Sequence, residues 1–182
     1  MPFDFNEYKN AQKKAYELIE QFNVTTLPVP VIEIAQNLSI EVIPFDLGNK
    51  ASGILVIENG KGKIGYNPAD NKARQRFTIA HELGHYQLHM KKNQHEAIFI
   101  DRDFLVKYRN QKNYTAHEFA QEQQANAFAA ALLMPEHFVR AELDKEIYEN
   151  MDESDTISNL AKVFHVSNVA MTYRLTNLNI TI

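Results

Sequence analysis

Apolar side chains recur at Tyr8, Ala11, Ala15, Leu18 and Ile19, with lysines and glutamates filling the positions between. That spacing predicts an amphipathic surface helix over residues 6–22. Pro28-Val29-Pro30 breaks the pattern, and Val31 to Leu38 resumes it as a second, short helix. Three strand-like runs follow, at Ile40 to Phe45, Gly53 to Ile57 and Lys63 to Asn67. Asn59-Gly60 and Gly62 supply turn chemistry between the last two, which are expected to form a hairpin within a small antiparallel sheet. Pro44 suits a strand end or an edge.

A longer helix begins at Asp70 or Asn71, both good caps, and runs to about Met90. Residues 91–114 are polar and irregular apart from Ala97-Ile98-Phe99-Ile100, and read as a long surface excursion bordering a cleft. Thr115-Ala116-His117-Glu118 is a capping box that opens a helix running to Met134. Pro135 ends it and starts the next, over residues 136–149. Asp152-Glu153-Ser154-Asp155 reads as a solvated acidic linker, and Thr156 to Leu178 as helix, tight turn at His165-Val166-Ser167, and helix. The expectation is an α+β fold, mainly helical, with a principal domain over residues 1–150 and a helix-turn-helix-like extension over 151–182 packed on it.

Composition narrows the chemistry. The 182 residues are 45% hydrophobic and 23% charged, which suits an ordinary globular domain with a sizeable core. There is no cysteine, so disulfides and thiolate metal sites are excluded and any metal must take nitrogen and oxygen ligands. A formal net charge of −4 gives no general attraction to phosphate backbones. Neither a basic segment followed by an apolar run at the N-terminus nor a membrane-length apolar stretch is visible, so a cytoplasmic location is expected.

The candidate chemistry lies in His81-Glu82-Leu83-Gly84-His85, inside the long predicted helix. At about 3.6 residues per turn the two histidines stand one above the other, where both can reach one zinc ion. Glu82 could then take the proton of an attacking water. The third ligand is not close-coupled, because the positions three and six beyond His85 hold Leu88 and Lys91. Glu122, on the later helix, is the candidate. Ala125, Ala129 and Ala130 would let that helix come near where the first offers Gly84, whose retention costs about 1 kcal/mol relative to alanine. Asn126, one turn after Glu122, could hold the outer nitrogen of a ligating histidine. His89 continues the face of His81 and His85; a fourth nitrogen would close the open position catalysis needs, so it reads as support or packing.

The stretch from Arg74 to His85, together with Glu122 to Pro135 and its Ala-Asn and Leu-Leu-Met-Pro, resembles the ImmA/IrrE family of zinc metallopeptidases. The likeness covers roughly residues 27–140. It implies a zincin-like endopeptidase with one zinc ion on His81, His85 and Glu122, Glu82 as catalytic base, and a helix-turn-helix repressor of mobile-element or stress genes as substrate. An oxyanion stabiliser is left open among Tyr66, Tyr86 and Tyr114. His95, His117, His137 and His165 have no partners in the pattern.

The tail scans like a DNA-binding helix pair, yet Arg174 is the only basic residue between Ser167 and Ile182. A DNA reader would want several, so direct nucleic-acid binding is not expected. The alternative function is a non-proteolytic regulator that grips a transcription factor, or DNA through residues 156–178.

Overall fold

The sequence of elements is α1 (Phe5–Gln21), α2 (Val31–Asn37), β1 (Glu41–Pro44), β2 (Gly53–Glu58), β3 (Lys61–Tyr66), α3 (Lys72–His89), β4 (Glu96–Asp101), α4 (Ala116–Leu133), α5 (Glu136–Leu143), a 3-10 turn (Glu146–Tyr148), α6 (Glu153–Phe164) and α7 (Asn168–Asn177). They are seen in a computed structural model that describes residues 5–48, 51–90, 96–101 and 115–182. The expected α+β class, mostly helical with one small sheet, is what the chain adopts. No helix among the described residues is long and apolar enough to cross a membrane.

The sheet differs from expectation in two ways. Its order is β1-β3-β2-β4, and β1 runs parallel to β3, so the sheet is mixed rather than antiparallel throughout. The cause is topological. Asn59 and Gly60, both at positive φ, fold β2 back onto β3 as a tight hairpin. The hairpin leaves β3 running with β1, and β3 takes the place beside it. The second difference is β4, which lies in the stretch read as a surface excursion. Its Ala97–Ile100 run pairs antiparallel with β2 and forms an edge of the sheet.

One face of the sheet, carrying Leu55, Ile57 and Ile64, is buried. Every residue of α3 from Thr78 to His85 is buried too, because the helix is covered by the sheet on one side and by α4 on another. Polar side chains on this segment are therefore enclosed by the fold rather than solvated. The approach of α3 to α4 is close: a Cβ on Gly84 would stand 3.2 Å from both the Cα and the carbonyl oxygen of Ala125. The glycine is kept because another backbone occupies its side-chain space.

Helix ends follow local chemistry. Asn71 caps α3 by accepting from the Arg74 N–H, and Thr115 and Glu118 form the expected capping box on α4. The helix expected over 136–149 is divided into α5 and the 3-10 turn. Asp152 caps α6 from within the stretch read as a linker, so the helix starts earlier than expected. His165 stands in the left-handed region and turns the chain from α6 to α7. Leu160, Phe164, Met171 and Leu175 of this pair join the same core as Leu18, Ile79 and Phe128. Arg174, 1% exposed, donates to the Met134 carbonyl at 2.8 Å and to the Tyr16 hydroxyl at 2.8 Å. The sole cation of α7 is thus committed to the interior.

Candidate metal centre

His81 and His85 leave α3 on the same face and meet one turn apart, with their Nε2 atoms 3.0 Å from each other. Glu122 reaches them from α4, its two carboxylate oxygens 3.6 Å from His81 Nε2 and 3.5 Å from His85 Nε2. Both histidines are almost fully buried, and the glutamate is mostly so. Three side chains separated by up to 41 positions are brought within ligand distance because Gly84 admits the α4 backbone beside them.

The outer nitrogens define which protons the rings carry. His81 Nδ1 lies 2.9 Å from Asn126 Oδ1, an atom that can only accept, so the ring donates there and, when neutral, presents a lone pair at Nε2. His85 Nδ1 lies 3.0 Å from His89 Nδ1, and His89 Nε2 lies 2.9 Å from Gln124 Oε1. Donation from His89 to the amide oxygen leaves His89 Nδ1 to accept from His85. His85 Nε2 then presents a lone pair as well. Burial pushes the His89 imidazole down to about 4, with the Gln124 bond and the Glu122 charge opposing and His85 and His81 assisting, so it is neutral at physiological pH.

Two imidazole nitrogens 3.0 Å apart beside a carboxylate call for positive charge between them, a shared proton or a metal ion. The donor set, two neutral imidazoles and one carboxylate, is what a divalent transition metal takes. Burial alone would raise the Glu122 carboxyl; a proton on either facing imidazole would supply a hydrogen bond and charge that hold it well below the usual carboxylate range, the same demand for positive charge that a metal ion would meet. His81, His85 and Glu122 could hold a metal ion, their ligand atoms lying within 4.8 Å of one another.

Glu82 is wholly buried on the sheet side of α3. A Cβ placed on Gly53 of β2 would come within 2.9 Å of Glu82 Oε1 and collide with Thr78 Cγ2. Gly53→Ala is therefore expected to destabilise the fold by about 1–3 kcal/mol through overpacking. A urea unfolding midpoint equal to wild type would show that this contact is not confining. Phe99 of β4 stacks on His85 with ring centroids 5.1 Å apart and planes at 23°, so the edge strand missed from the sequence also lines the centre.

Tyr86 lies with its ring over Gly62 of β3, and the Tyr66 carbonyl accepts from the Phe45 N–H at the end of that strand. His117, His137 and His165 are exposed. Tyr114 and His95 lie outside the described residues. Gln124, Gly53 and Phe99 had no signal in the sequence, since each matters only through a neighbour distant along the chain.

A sequence profile described as the IrrE N-terminal-like domain, Peptidase_M78, matches residues 35–176. Over 107 residues the chain is 31% identical to "Uncharacterized immunity region protein 2" of Bacillus phage phi105, covering 59% of this chain and 60% of that protein. Over 88 residues it is 32% identical to "Metallopeptidase ImmA" of Bacillus subtilis strain 168, covering 48% of this chain and 52% of that one. The matches thus span between half and three-fifths of these relatives. Among solved structures, a "Mycobacterium tuberculosis transcriptional regulator" superposes with a TM-score of 0.63 at 20% identity, over 96% of this chain and 48% of that one. At that identity the likeness is one of fold.

Proposed function

Since the chain belongs to the IrrE N-terminal-like peptidase family, we propose that it is a zinc-dependent endopeptidase. His81, His85 and Glu122 hold one zinc ion, and Glu82 is the catalytic base. The observation that carries this reading is the pair of imidazole Nε2 atoms 3.0 Å apart with a carboxylate beside them. Bound there, zinc supplies a Lewis acid that polarises a peptide carbonyl and makes water a nucleophile near neutral pH. The chain's own residues do the rest. Glu82 takes the proton from the attacking water and delivers it to the leaving amide nitrogen, so one carboxylate acts as base and then as acid. Asn126 holds the His81 ring with its lone pair inward. Residues 1–150 form the catalytic unit and 151–182 an extension packed on it.

For a substrate we favour a helix-turn-helix repressor, the class implied by the resemblance to ImmA/IrrE peptidases. The similarity to an immunity-region protein of a phage supports a target of that regulatory kind. The test pairs the purified chain with the small helix-turn-helix repressor encoded nearest to it. Cleavage is expected with zinc, and none after chelation. Glu122→Ala should weaken zinc by roughly a hundredfold to a thousandfold, one ligand's share of the affinity of a structural zinc site, and should not cleave. Cutting at an undiminished rate in chelator would overturn the proposal.

A further inference from the structure

We propose that Gln124 and Glu7 are positioning residues for His85, acting through His89. A chain of hydrogen bonds beginning at the surface of α1 decides which nitrogen of His85 carries the proton, and so whether Nε2, which faces the metal centre, is bare. The inference rests on the zinc reading above and adds residues that neither the motif nor its spacing indicates.

The two histidines are held differently. His81 Nδ1 is set by its bond to Asn126. His85 is set by three bonds in series: His85 Nδ1 to His89 Nδ1 at 3.0 Å, His89 Nε2 to Gln124 Oε1 at 2.9 Å, and Gln124 Nε2 to Glu7 Oε2 at 2.6 Å. The first two contacts are ambiguous by themselves. Imidazole nitrogens can donate or accept, and an amide can present either its oxygen or its NH2 group. The last contact removes the ambiguity. The Glu7 carboxylate only accepts, so the Gln124 amide must turn its NH2 toward α1 and its oxygen toward His89. His89 then donates from Nε2 and accepts at Nδ1, and His85 must donate from Nδ1. Its Nε2 is left bare toward His81 Nε2 and Glu122.

Running the chain in reverse shows what the carboxylate contributes. A flipped amide would point its oxygen at Glu7, acceptor against acceptor at 2.6 Å. It would present NH2 to His89, and His85 would then carry its proton on Nε2. A ring protonated there cannot ligate without first releasing that proton. The acidic group on α1 therefore biases His85 toward the ligating tautomer from outside the centre. Helix α1 lies before the residues that the family profile matches, so Glu7 stands outside the matched region.

The test reads the tautomer directly, without activity. Imidazole nitrogen shifts of the metal-free protein, recorded at mildly alkaline pH, report the Nδ1–H share of His85, which should be highest in wild type. Gln124→Leu and Glu7→Lys should both raise the Nε2–H share, the lysine because it draws the amide oxygen toward itself. In chelator competition Gln124→Leu should bind zinc roughly tenfold to a hundredfold more weakly, the usual cost of losing an outer partner of a metal-bound histidine. The double variant Gln124→Glu with Glu7→Gln keeps an acceptor for His89 and a donor from residue 7, and should recover wild-type affinity. Thermal unfolding of each variant separates lost tautomer control from lost fold. Unchanged His85 shifts in a folded Gln124→Leu protein, with unchanged zinc affinity, would overturn the proposal. If the wild-type chain binds no zinc, the peptidase reading falls, and the nitrogen shifts still decide the relay.

Discussion

Glu82→Gln is expected to keep zinc binding and to lose peptide hydrolysis by about 10²–10⁴-fold, the range ascribed to general acid–base catalysis. The substitution preserves shape and replaces a proton acceptor by an amide that cannot serve as base. Shape matters here because Glu82 is wholly buried, with Gly53 of β2 leaving room for little else. A smaller replacement would open a cavity and confuse chemistry with folding. Glutamine avoids that, so the variant should melt near the wild-type temperature while cleavage disappears. The measurements are zinc content by colorimetric titration and repressor cleavage followed on gels. Cleavage at the wild-type rate would sink the assignment of Glu82. The rival reading, a regulator that grips a transcription factor without cutting it, predicts an unaltered biological response in the same variant.

Arg174→Ala carries the largest expected effect on stability. The guanidinium is buried without a carboxylate against it among the described residues, and it stabilises through two neutral acceptors. One is the Met134 carbonyl at the C-terminal end of α4, where the unpaired carbonyls and the negative end of the helix dipole favour a cation. The other is the Tyr16 hydroxyl on α1. Truncation leaves both buried groups short of a donor and vacates the volume of the stem. The cost should be about 2–4 kcal/mol, from two hydrogen bonds to a charged group less the relief of a desolvated cation. For a chain of this size that lowers the melting midpoint by about 5–15 °C. Arg174→Lys should recover only part, because an ammonium cannot address two acceptors in a fixed planar fork. The melt should remain a single transition, since α6 and α7 share their core with α1, α3 and α4. Two separated transitions would mean that residues 151–182 form an independent unit.

The fate of Arg174 also bears on the tail as a reader of DNA. A lone basic residue on the second helix was already too few for phosphate contacts. In the structure that residue faces the core, and exposed Val169 and Tyr173 mark the outer side of α7.

How much of the molecule can be read from its letters depends on the distance over which each feature is decided. The juxtaposition of His81 and His85 follows from helical period alone, and so does the place of Glu82 one residue on. The Thr115–Glu118 capping box and the Asn59-Gly60 turn are local chemistry within a few residues, and they stand where expected. Even the approach of α4 was partly legible, because a glycine inside a helix facing alanines on another implies that backbones meet. What tertiary structure alone decided are pairings between distant segments. The parallel placing of β1 depends on the path of the chain around β3, and β4 on whether a short apolar run finds the edge of β2. The inward turn of Arg174 and the contact of Glu7 with Gln124 join residues 40 and 117 positions apart. No periodicity encodes such contacts; they arise when separate apolar faces close on one core and the polar groups carried inward must find partners there.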